Sequence, residues 1–291
     1  MDRKNRLYLS TEFQYCMHAC GSIYNQIFTN SLEAFEYWHS QGIKLFEIDI
    51  DEAERGKYVA CHDYNKETFI KMEIENLPQI CNFEWFKRQK LFGKSTMGLT
   101  SITLRNIFEL LAKYKDVCFM IDPKIYSFED VCLLLESINK YIEIYHIDSE
   151  RIVFETYTED MIRATQEYKD LVQYQFCIED ERKTEDSDRI RRWDINKLVE
   201  FLKQNNIWII SYPWKYAVEN LINLKKLKDE GFIIFSRTKN DILSDLLKQT
   251  GININIIDYL VTDEQRDNLL LYKQVYYKEY KEKIDNIFFK K

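Results

Sequence analysis

The feature that most constrains the fold of this 291-residue chain is a repeated alternation of short apolar runs with longer amphipathic stretches. The apolar runs are rich in Ile, Val, Phe or Tyr, as buried parallel strands are. Eight such runs lie at residues 13–18, 45–50, 117–121, 152–154, 174–177, 207–210, 232–235 and 259–261. Helical spacing of apolar residues marks the stretches 31–41, 102–114, 128–141, 160–168, 197–205, 216–230, 241–250 and 263–276. Eight strand–helix units predict an α/β fold, a (β/α)8 TIM barrel, with a doubly wound open sheet as the competing architecture.

Two segments depart from this alternation. Residues 57–63 follow Gly56 and alternate in polarity, which predicts the second arm of a hairpin leaving strand 2. The following insertion, about 64–100, has no clean period, and its aromatic residues predict a small subdomain over one end of the barrel. With only 7 Gly and 3 Pro we see no flexible linker, so we expect a single domain over 1–291, ending in a charged helical tail at about 276–291.

Charge and cysteine usage limit the possible partners and compartments. A formal net charge of -7 argues against nucleic-acid binding, which usually needs a basic face. The seven cysteines are odd in number and form no CxxC pair, and Cys16, Cys61, Cys118 and Cys132 lie in apolar runs, so we expect buried reduced thiols. No apolar run approaches the ~18 residues of a membrane span. The amino terminus lacks the apolar stretch of a signal peptide, so we expect a cytoplasmic protein without stable membrane insertion.

The second predicted strand carries acidic residues at alternate positions. Glu47, Asp49 and Asp51 share one face of this strand because successive side chains point to opposite faces. Neighbouring carboxylates repel one another and are costly to bury. A hard divalent cation such as Ca²⁺ or Mg²⁺ would offset that cost, although a solvated edge strand is the plainer alternative.

Two of the four histidines stand at strand ends around this acidic strand. His18 ends the first predicted strand and His62 ends the hairpin arm. Imidazole titrates near neutral pH, so such a pair can supply one acid and one base. The other two histidines, His39 and His146, fall on a helix and a loop, where we expect ordinary structural roles.

The order of these residues resembles the glycerophosphodiester phosphodiesterase family. The resemblance is strongest in the amino-terminal part, in the motifs His18-x-x-Gly21, Asn30-Ser31-x-Glu33-Ala34-Phe35, Gly42, Glu47-x-Asp49 and His62-Asp63. Asn30 or Ser31 is also the expected cap of the first helix, with Glu33 supporting that cap. Further matches are Asp122-x-Lys124 and the segments 231–240 and 257–263, so the likeness spans roughly residues 13–267.

The resemblance implies specific roles for several of these residues. It implies a barrel with an insertion after strand 2, His18 and His62 as the general acid and base, and Lys124 as a neutraliser of phosphoryl charge. It also implies Glu47, Asp49 and Asp122 as ligands of a divalent cation. The substrate would be a small-molecule phosphodiester, in which the family tends to let a substrate hydroxyl attack its own phosphorus and form a cyclic phosphate.

The sequence departs from the family pattern at three positions. Ala19 stands where the family usually has Arg, Asp122 where it usually has Glu, and Arg237 where it usually has Trp. Arg237 is therefore a candidate to supply the phosphate contact that an Arg after His18 would make. These departures also resemble sphingomyelinase D-like and phosphatidylinositol-directed relatives, so a lipid phosphodiesterase stays open as an alternative, and a non-catalytic binding barrel as a third.

Further strand-end residues are candidates for shaping a pocket, because barrel enzymes build their sites from such positions. They are Glu155, Tyr157, Glu179, Trp214 and Arg237. Trp214 follows Pro213 after the sixth predicted strand, where its indole can stack on an alcohol moiety or cover the core.

Overall fold

The computed structural model describes residues 15–178, 194–213, 221–240, 252 and 254–259. The chain divides into two compact units. The first unit comprises residues 17–174, and the second begins at residue 175 and also includes residues 1–16. Each unit alternates strands with helices, and the four histidines and the carboxylates of Glu47, Asp49, Asp51 and Asp122 lie in the first.

The first unit contains half of the strands and helices that the sequence predicts. Its strands are β1 (Tyr15–Met17), of which only Met17 belongs to this unit, β2 (Leu45–Glu54), β3 (Lys57–Ala60), β4 (Lys90–Leu91), β5 (Leu99–Thr100), β6 (Cys118–Pro123) and β7 (Ile152–Thr156). Its helices are α1 (Leu32–Ser40), α2 (Lys66–Lys71), α3 (Phe83–Phe86), α4 (Leu104–Lys113), α5 (Phe128–Tyr145) and α6 (Glu159–Glu167). Strands β1, β2, β6 and β7 pair in parallel, and β2 continues into an antiparallel pair with β3. The hairpin predicted at 57–63 is thereby confirmed over its first four residues.

The insertion between β3 and α4 has its own apolar core. Helices α2 and α3 and the small antiparallel pair of β4 and β5 make up its regular structure. Phe69, Phe86 and Phe92 are buried in this core together with Val59 of β3, and Trp85 packs against them. The aromatic residues of the insertion therefore pack inward, and they attach it directly to the hairpin that leads to His62.

The second unit continues the same alternation from β8 (Gln173–Cys177), which spans the boundary between the units. It adds the elements α7 (Ile195–Gln204), β9 (Ile209–Pro213), α8 (Leu221–Asp229), β10 (Ile233–Asn240) and β11 (Ile254–Tyr259). Strands β8, β9, β10 and β11 pair in parallel in that order. The predicted helices 241–250 and 263–276 and the tail 276–291 lie outside the described residues.

One predicted strand is misplaced. The last strand was expected at 259–261, but β11 begins five residues earlier, at Ile254. The polar residues Asn253 and Asn255 interrupt this apolar stretch and hide it from a search for continuous apolar runs. Asn255 is nevertheless buried within β11. The fold class itself is confirmed, because eight parallel strands that alternate with helices form a (β/α)8 barrel.

Two further predictions concern the oxidation state of the cysteines and the presence of membrane-spanning helices. All seven cysteines are free thiols, and Cys16, Cys61 and Cys118 are buried as predicted. Cys132 is only half-buried, because it follows the inward-facing Val131 by one helical position on α5. Every helix in the part of the chain that the structure describes is too short or too polar to cross a membrane.

Candidate active site

Three acidic side chains from neighbouring strands meet in a buried cluster. Asp49 of β2 lies directly opposite Asp122 of β6 in the parallel ladder, and Glu47 lies two residues before Asp49 on the same face. All three carboxylates are at most 1% exposed. One oxygen from each can be chosen so that the three lie within 4.8 Å of one another. Strand register therefore creates the acidic cluster that the sequence predicted.

The ammonium group of Lys124 joins two of these carboxylates. Its Nζ lies 2.6 Å from Asp49 Oδ1 and 2.5 Å from Asp122 Oδ2. Burial alone would raise the pKa of Asp49, but the charge of Lys124, followed by those of His18 and His62, holds that pKa well below its usual value. Burial likewise disfavours the charged lysine, yet Asp122, Asp49 and Glu47 raise the pKa of Lys124 well above normal. Both shifts favour the ionised forms of Asp49 and Lys124.

The donor set of this cluster fits a divalent cation. Carboxylate oxygens are the ligands that Ca²⁺ and Mg²⁺ prefer, and a ligand must be deprotonated to bind. Glu47, Asp49 and Asp122 supply such oxygens close together in a buried position, and Asp49 is held ionised. Lys124 bonds Oδ1 of Asp49 and Oδ2 of Asp122, so any cation would share these two carboxylates with an ammonium group.

His18 lies on a tight left-handed turn immediately after β1. The turn runs from His18 to Cys20, with φ of 48° at Ala19 and 62° at Cys20. The N–H of Ala19 donates to Glu47 Oε2 at 2.5 Å, and His18 Nε2 lies 3.8 Å from the same oxygen. The hydrogen bond from Ala19 offsets part of the cost of this strained backbone. Glu47 thus fixes the position of His18 through the backbone of the next residue.

Gly21 ends this turn, and only glycine fits there. Its φ is 93°, a region that other residues rarely adopt. A Cβ atom at this position would lie 2.3 Å from Cδ1 of Trp38. The glycine of the first sequence motif is therefore explained by the close approach of the turn to helix α1.

His62 follows β3, and the carboxylate of the next residue, Asp63, orients its imidazole ring. Its Nδ1 lies 2.7 Å from Asp63 Oδ2, and the side chain is 37% exposed. The N–H of Cys61 donates to the carbonyl of Asp49 at 3.2 Å, which attaches the His62 segment to β2. His18 thus lies 3.8 Å from Glu47, and the residue before His62 is bonded to the backbone of Asp49, so both histidine segments border the acidic strand.

Asn30 belongs to the family motif, but the sequence predicted no role for it at the acidic cluster. Its Nδ2 donates to Asp49 Oδ2 at 2.8 Å, and the N–H of Asp49 donates to Asn30 Oδ1 at 3.1 Å. Ser31, not Asn30, caps helix α1 by accepting from Ala34, and Glu33 instead accepts hydrogen bonds from Thr100. An Asn just before a helix cap gave only the weak signal of a second candidate cap.

The carboxylate of Asp51 has a structural role, because it bonds backbone N–H groups at the start of the insertion and in β2. Its carboxylate accepts from the N–H of Tyr64 at 2.6 Å and from the N–H of Glu52 at 2.7 Å. Burial raises the pKa of Asp51, and these hydrogen bonds oppose that rise. Asp51 therefore anchors the start of the insertion and does not belong to the three-carboxylate cluster.

The remaining candidate residues differ in burial and in their place in the fold. Glu155 is fully buried at the end of β7 and accepts a hydrogen bond from the hydroxyl of Tyr157. Arg237 lies on β10 in the second unit and is half-buried. Trp214 and Glu179 lie outside the described residues.

Comparison with known proteins identifies the class of fold. A phosphodiesterase of Oleispira antarctica, solved with its product sn-glycerol-3-phosphate, matches with a TM-score of 0.65, 15% identity, and coverage of 84% of this chain and 93% of that chain. A glycerophosphodiester phosphodiesterase of Parabacteroides distasonis matches with a TM-score of 0.63, 13% identity, and coverage of 90% and 99%. One from Thermotoga maritima matches with a TM-score of 0.54, 20% identity, and coverage of 79% and 88%.

These likenesses show the fold. No family model and no curated protein sequence matches the chain. The chain adopts the (β/α)8 barrel seen in glycerophosphodiester phosphodiesterases, and the resemblance carried by its motifs is confirmed at the level of that fold.

Proposed function

We propose that this chain is a metal-dependent phosphoric diester hydrolase that cleaves a glycerophosphodiester-like substrate to an alcohol and a phosphomonoester. The observation that carries the proposal is the buried cluster of Glu47, Asp49 and Asp122, with His18 3.8 Å from Glu47 and the segment of His62 bonded to the backbone of Asp49. Two imidazoles beside such a cluster are the groups needed to move protons during phosphodiester cleavage. The names of the structural neighbours, including one with bound sn-glycerol-3-phosphate, support the same class of substrate.

Glu47, Asp49 and Asp122 are the residues that would hold a divalent cation, Ca²⁺ or Mg²⁺. When bound, such a cation stabilises the negative charge that develops on the phosphoryl oxygens. Lys124 has two tasks in this proposal. It keeps Asp49 ionised, and its ammonium group adds positive charge next to the position of the phosphoryl group.

The two histidines transfer the protons. One takes the proton of the attacking hydroxyl, and the other gives a proton to the leaving oxygen. If the hydroxyl belongs to the substrate, the first product is a cyclic phosphate that water then opens. The carboxylate of Asp63 accepts from Nδ1 of His62 when that nitrogen carries a proton, which leaves Nε2 for the substrate. We further propose that Arg237 binds phosphate and that Trp214 contacts the alcohol.

A substrate and cation screen tests this proposal. We expect hydrolysis of glycerophosphocholine, glycerophosphoinositol or bis-aryl phosphate that is lost in EDTA and restored by Ca²⁺, Mg²⁺ or Mn²⁺. The same cations should raise the melting temperature, because a ligand that binds only the folded state stabilises it. Absence of both turnover and a thermal shift with every cation would leave a non-catalytic barrel as the better description.

A lipid-directed diesterase is the second candidate, and the loop after His18 favours it. Tyr24, Ile27 and Phe28 are 53%, 44% and 43% exposed, and the ring of Phe28 packs edge-on against His18 at 4.9 Å between centroids. In the same loop, Ile23 packs against the apolar core of the insertion. Tyr24, Ile27 and Phe28, which we call the apolar loop, offer an exposed apolar surface for an acyl chain next to His18, a proposed acid or base.

The apolar loop gives a direct test of substrate class. We expect the double substitution Tyr24→Asn and Ile27→Ser to lower kcat/KM for lysophosphatidylcholine at least about 10-fold, because each lost apolar contact is worth roughly 1–3 kcal/mol. Turnover of glycerophosphocholine, which has no acyl chain, should stay within about 2-fold by the same argument. Equal effects on the two substrates, or no effect on either, would remove the lipid-directed alternative.

A further inference from the structure

The side-chain amide of Asn30 bonds both the carboxylate and the backbone N–H of Asp49. The amide donates from Nδ2 to Asp49 Oδ2 at 2.8 Å and accepts at Oδ1 from the N–H of Asp49 at 3.1 Å. Both partners are almost fully buried, with 1% of each exposed. Two hydrogen bonds of opposite direction to one residue fix both the strand position and the carboxylate orientation of Asp49.

The same asparagine reaches the turn that carries His18. Its backbone N–H donates to the carbonyl of Ala19 at 3.0 Å. Ala19 in turn donates its own N–H to Glu47 Oε2 at 2.5 Å. A continuous chain of hydrogen bonds thus runs from Asp49 through Asn30 and Ala19 to Glu47.

The backbone around Asn30 is built to keep this geometry. Asn30 has a φ of 47°, a left-handed conformation that Asn tolerates better than most residues. The neighbouring hydroxyls of Thr29 and Ser31 are both buried and lie 2.9 Å apart, and Thr29 also bonds the carbonyl of Gly21. Ser31 then caps helix α1. Asn30 is therefore held from both sides in the position from which it contacts Asp49.

We propose that Asn30 is a positioning residue, which turns Asp49 so that Oδ1 faces the cation-binding side of the cluster and keeps the His18 turn in register with it. Nδ2 of Asn30 donates a hydrogen bond to Oδ2 of Asp49. The other oxygen of Asp49, Oδ1, is therefore directed to Lys124, which also bonds Asp122. Partners of this kind commonly change metal affinity by about 10- to 100-fold. The inference rests on the proposed function, because it assigns Asn30 a role toward the cation of that same site.

The substitution Asn30→Gly tests the role of the side chain. Glycine adopts a positive φ without strain, so the backbone can keep its path while both side-chain bonds to Asp49 are lost. Asn25 is the matched control, because it lies in the same loop with a φ of 61° and is exposed. The readout is the cation concentration that gives half of the maximal rise in melting temperature, with folding checked separately in EDTA.

We expect Asn30→Gly to raise that midpoint concentration about 10- to 100-fold, as for other residues that orient a metal ligand. Asn25→Gly should change it less than about 2-fold, since the side chain of Asn25 is exposed, in contrast to the buried side chain of Asn30. Equal shifts in both variants, or none in Asn30→Gly, would overturn the proposal. If Asn30→Gly is unfolded in EDTA, Asn30→Ser takes its place under the same criteria, because its shorter side chain cannot span both atoms of Asp49.

Failure of the positioning role can be told apart from failure of the proposed function. A wild-type chain that responds to cations, loses this response in Asn30→Gly and hydrolyses no diester would support the role of Asn30 and contradict the phosphodiesterase proposal. A wild-type chain that hydrolyses diesters without any thermal response to cations would overturn the role of Asn30 and leave the hydrolase standing.

Discussion

Replacement of His18 by alanine should lower kcat for a glycerophosphodiester by at least about 10²-fold, the usual contribution of a general acid or base. His18 is held by the turn at Ala19 and lies 3.8 Å from Glu47, so its ring is positioned before substrate arrives. We expect the same loss for His62→Ala. KM should change little in both variants, because the proton transfers occur only in the transition state.

The other two histidines provide the controls. His146 is exposed in a left-handed conformation at the end of α5, so His146→Asn keeps the local backbone and should leave kcat unchanged. His39 is half-buried on α1, lies 3.5 Å from Asp116 and packs against Tyr114, and it serves in the same way. Turnover at the wild-type rate in a chain that lacks both His18 and His62 would remove the histidines from the mechanism.

Removal of one charge from the carboxylate cluster should have a still larger effect. Glu47→Gln keeps the size of the side chain and an oxygen that can accept from the N–H of Ala19, but it loses the negative charge. We expect kcat/KM to fall at least about 10³-fold, which corresponds to about 4 kcal/mol of lost transition-state stabilisation. The rise in melting temperature on addition of cation should disappear at the same time.

Glu52→Gln is the matched control for this substitution. Glu52 lies on the same strand, half-buried, and accepts from the N–H of Gly56 in the hairpin, a bond that glutamine can also accept. Both activity and cation response should therefore survive. Persistence of the cation-dependent thermal shift in Glu47→Gln would contradict the assignment of Glu47 as a ligand.

Periodicity predicted the succession of strands and helices, because buried parallel strands and amphipathic helices leave different patterns in a sequence, but it left a doubly wound open sheet as an alternative to the barrel. Seven of the eight predicted strands overlap a described strand that begins within two residues of the expected start. The exception is β11, where Asn255 is buried in a strand that looked polar. Burial of a polar side chain is decided by neighbours that are distant in sequence, so no local pattern reports it.

Several residues of the candidate site could be predicted from the sequence, but the backbone conformation and the contacts that position them could not. Alternation along β2 brought Glu47 and Asp49 onto one face, and the family motif added Asp122, which the parallel register then places opposite Asp49. The left-handed conformation of Ala19 was not predictable, because alanine has no preference for it. The role of Asn30 was hidden for a related reason, since the partner of its side chain, Asp49, lies 19 residues away in the sequence.

Strand β2 carries two consequences in one element, because its first half bears Glu47 and Asp49 and its second half pairs with β3 at the root of the insertion. Exchange of the insertion for another sequence leaves the pairing of the first half with β6 untouched, but it changes the packing around Val59 of the segment that precedes His62. The hairpin thus transmits changes in the insertion to one side of the acidic strand.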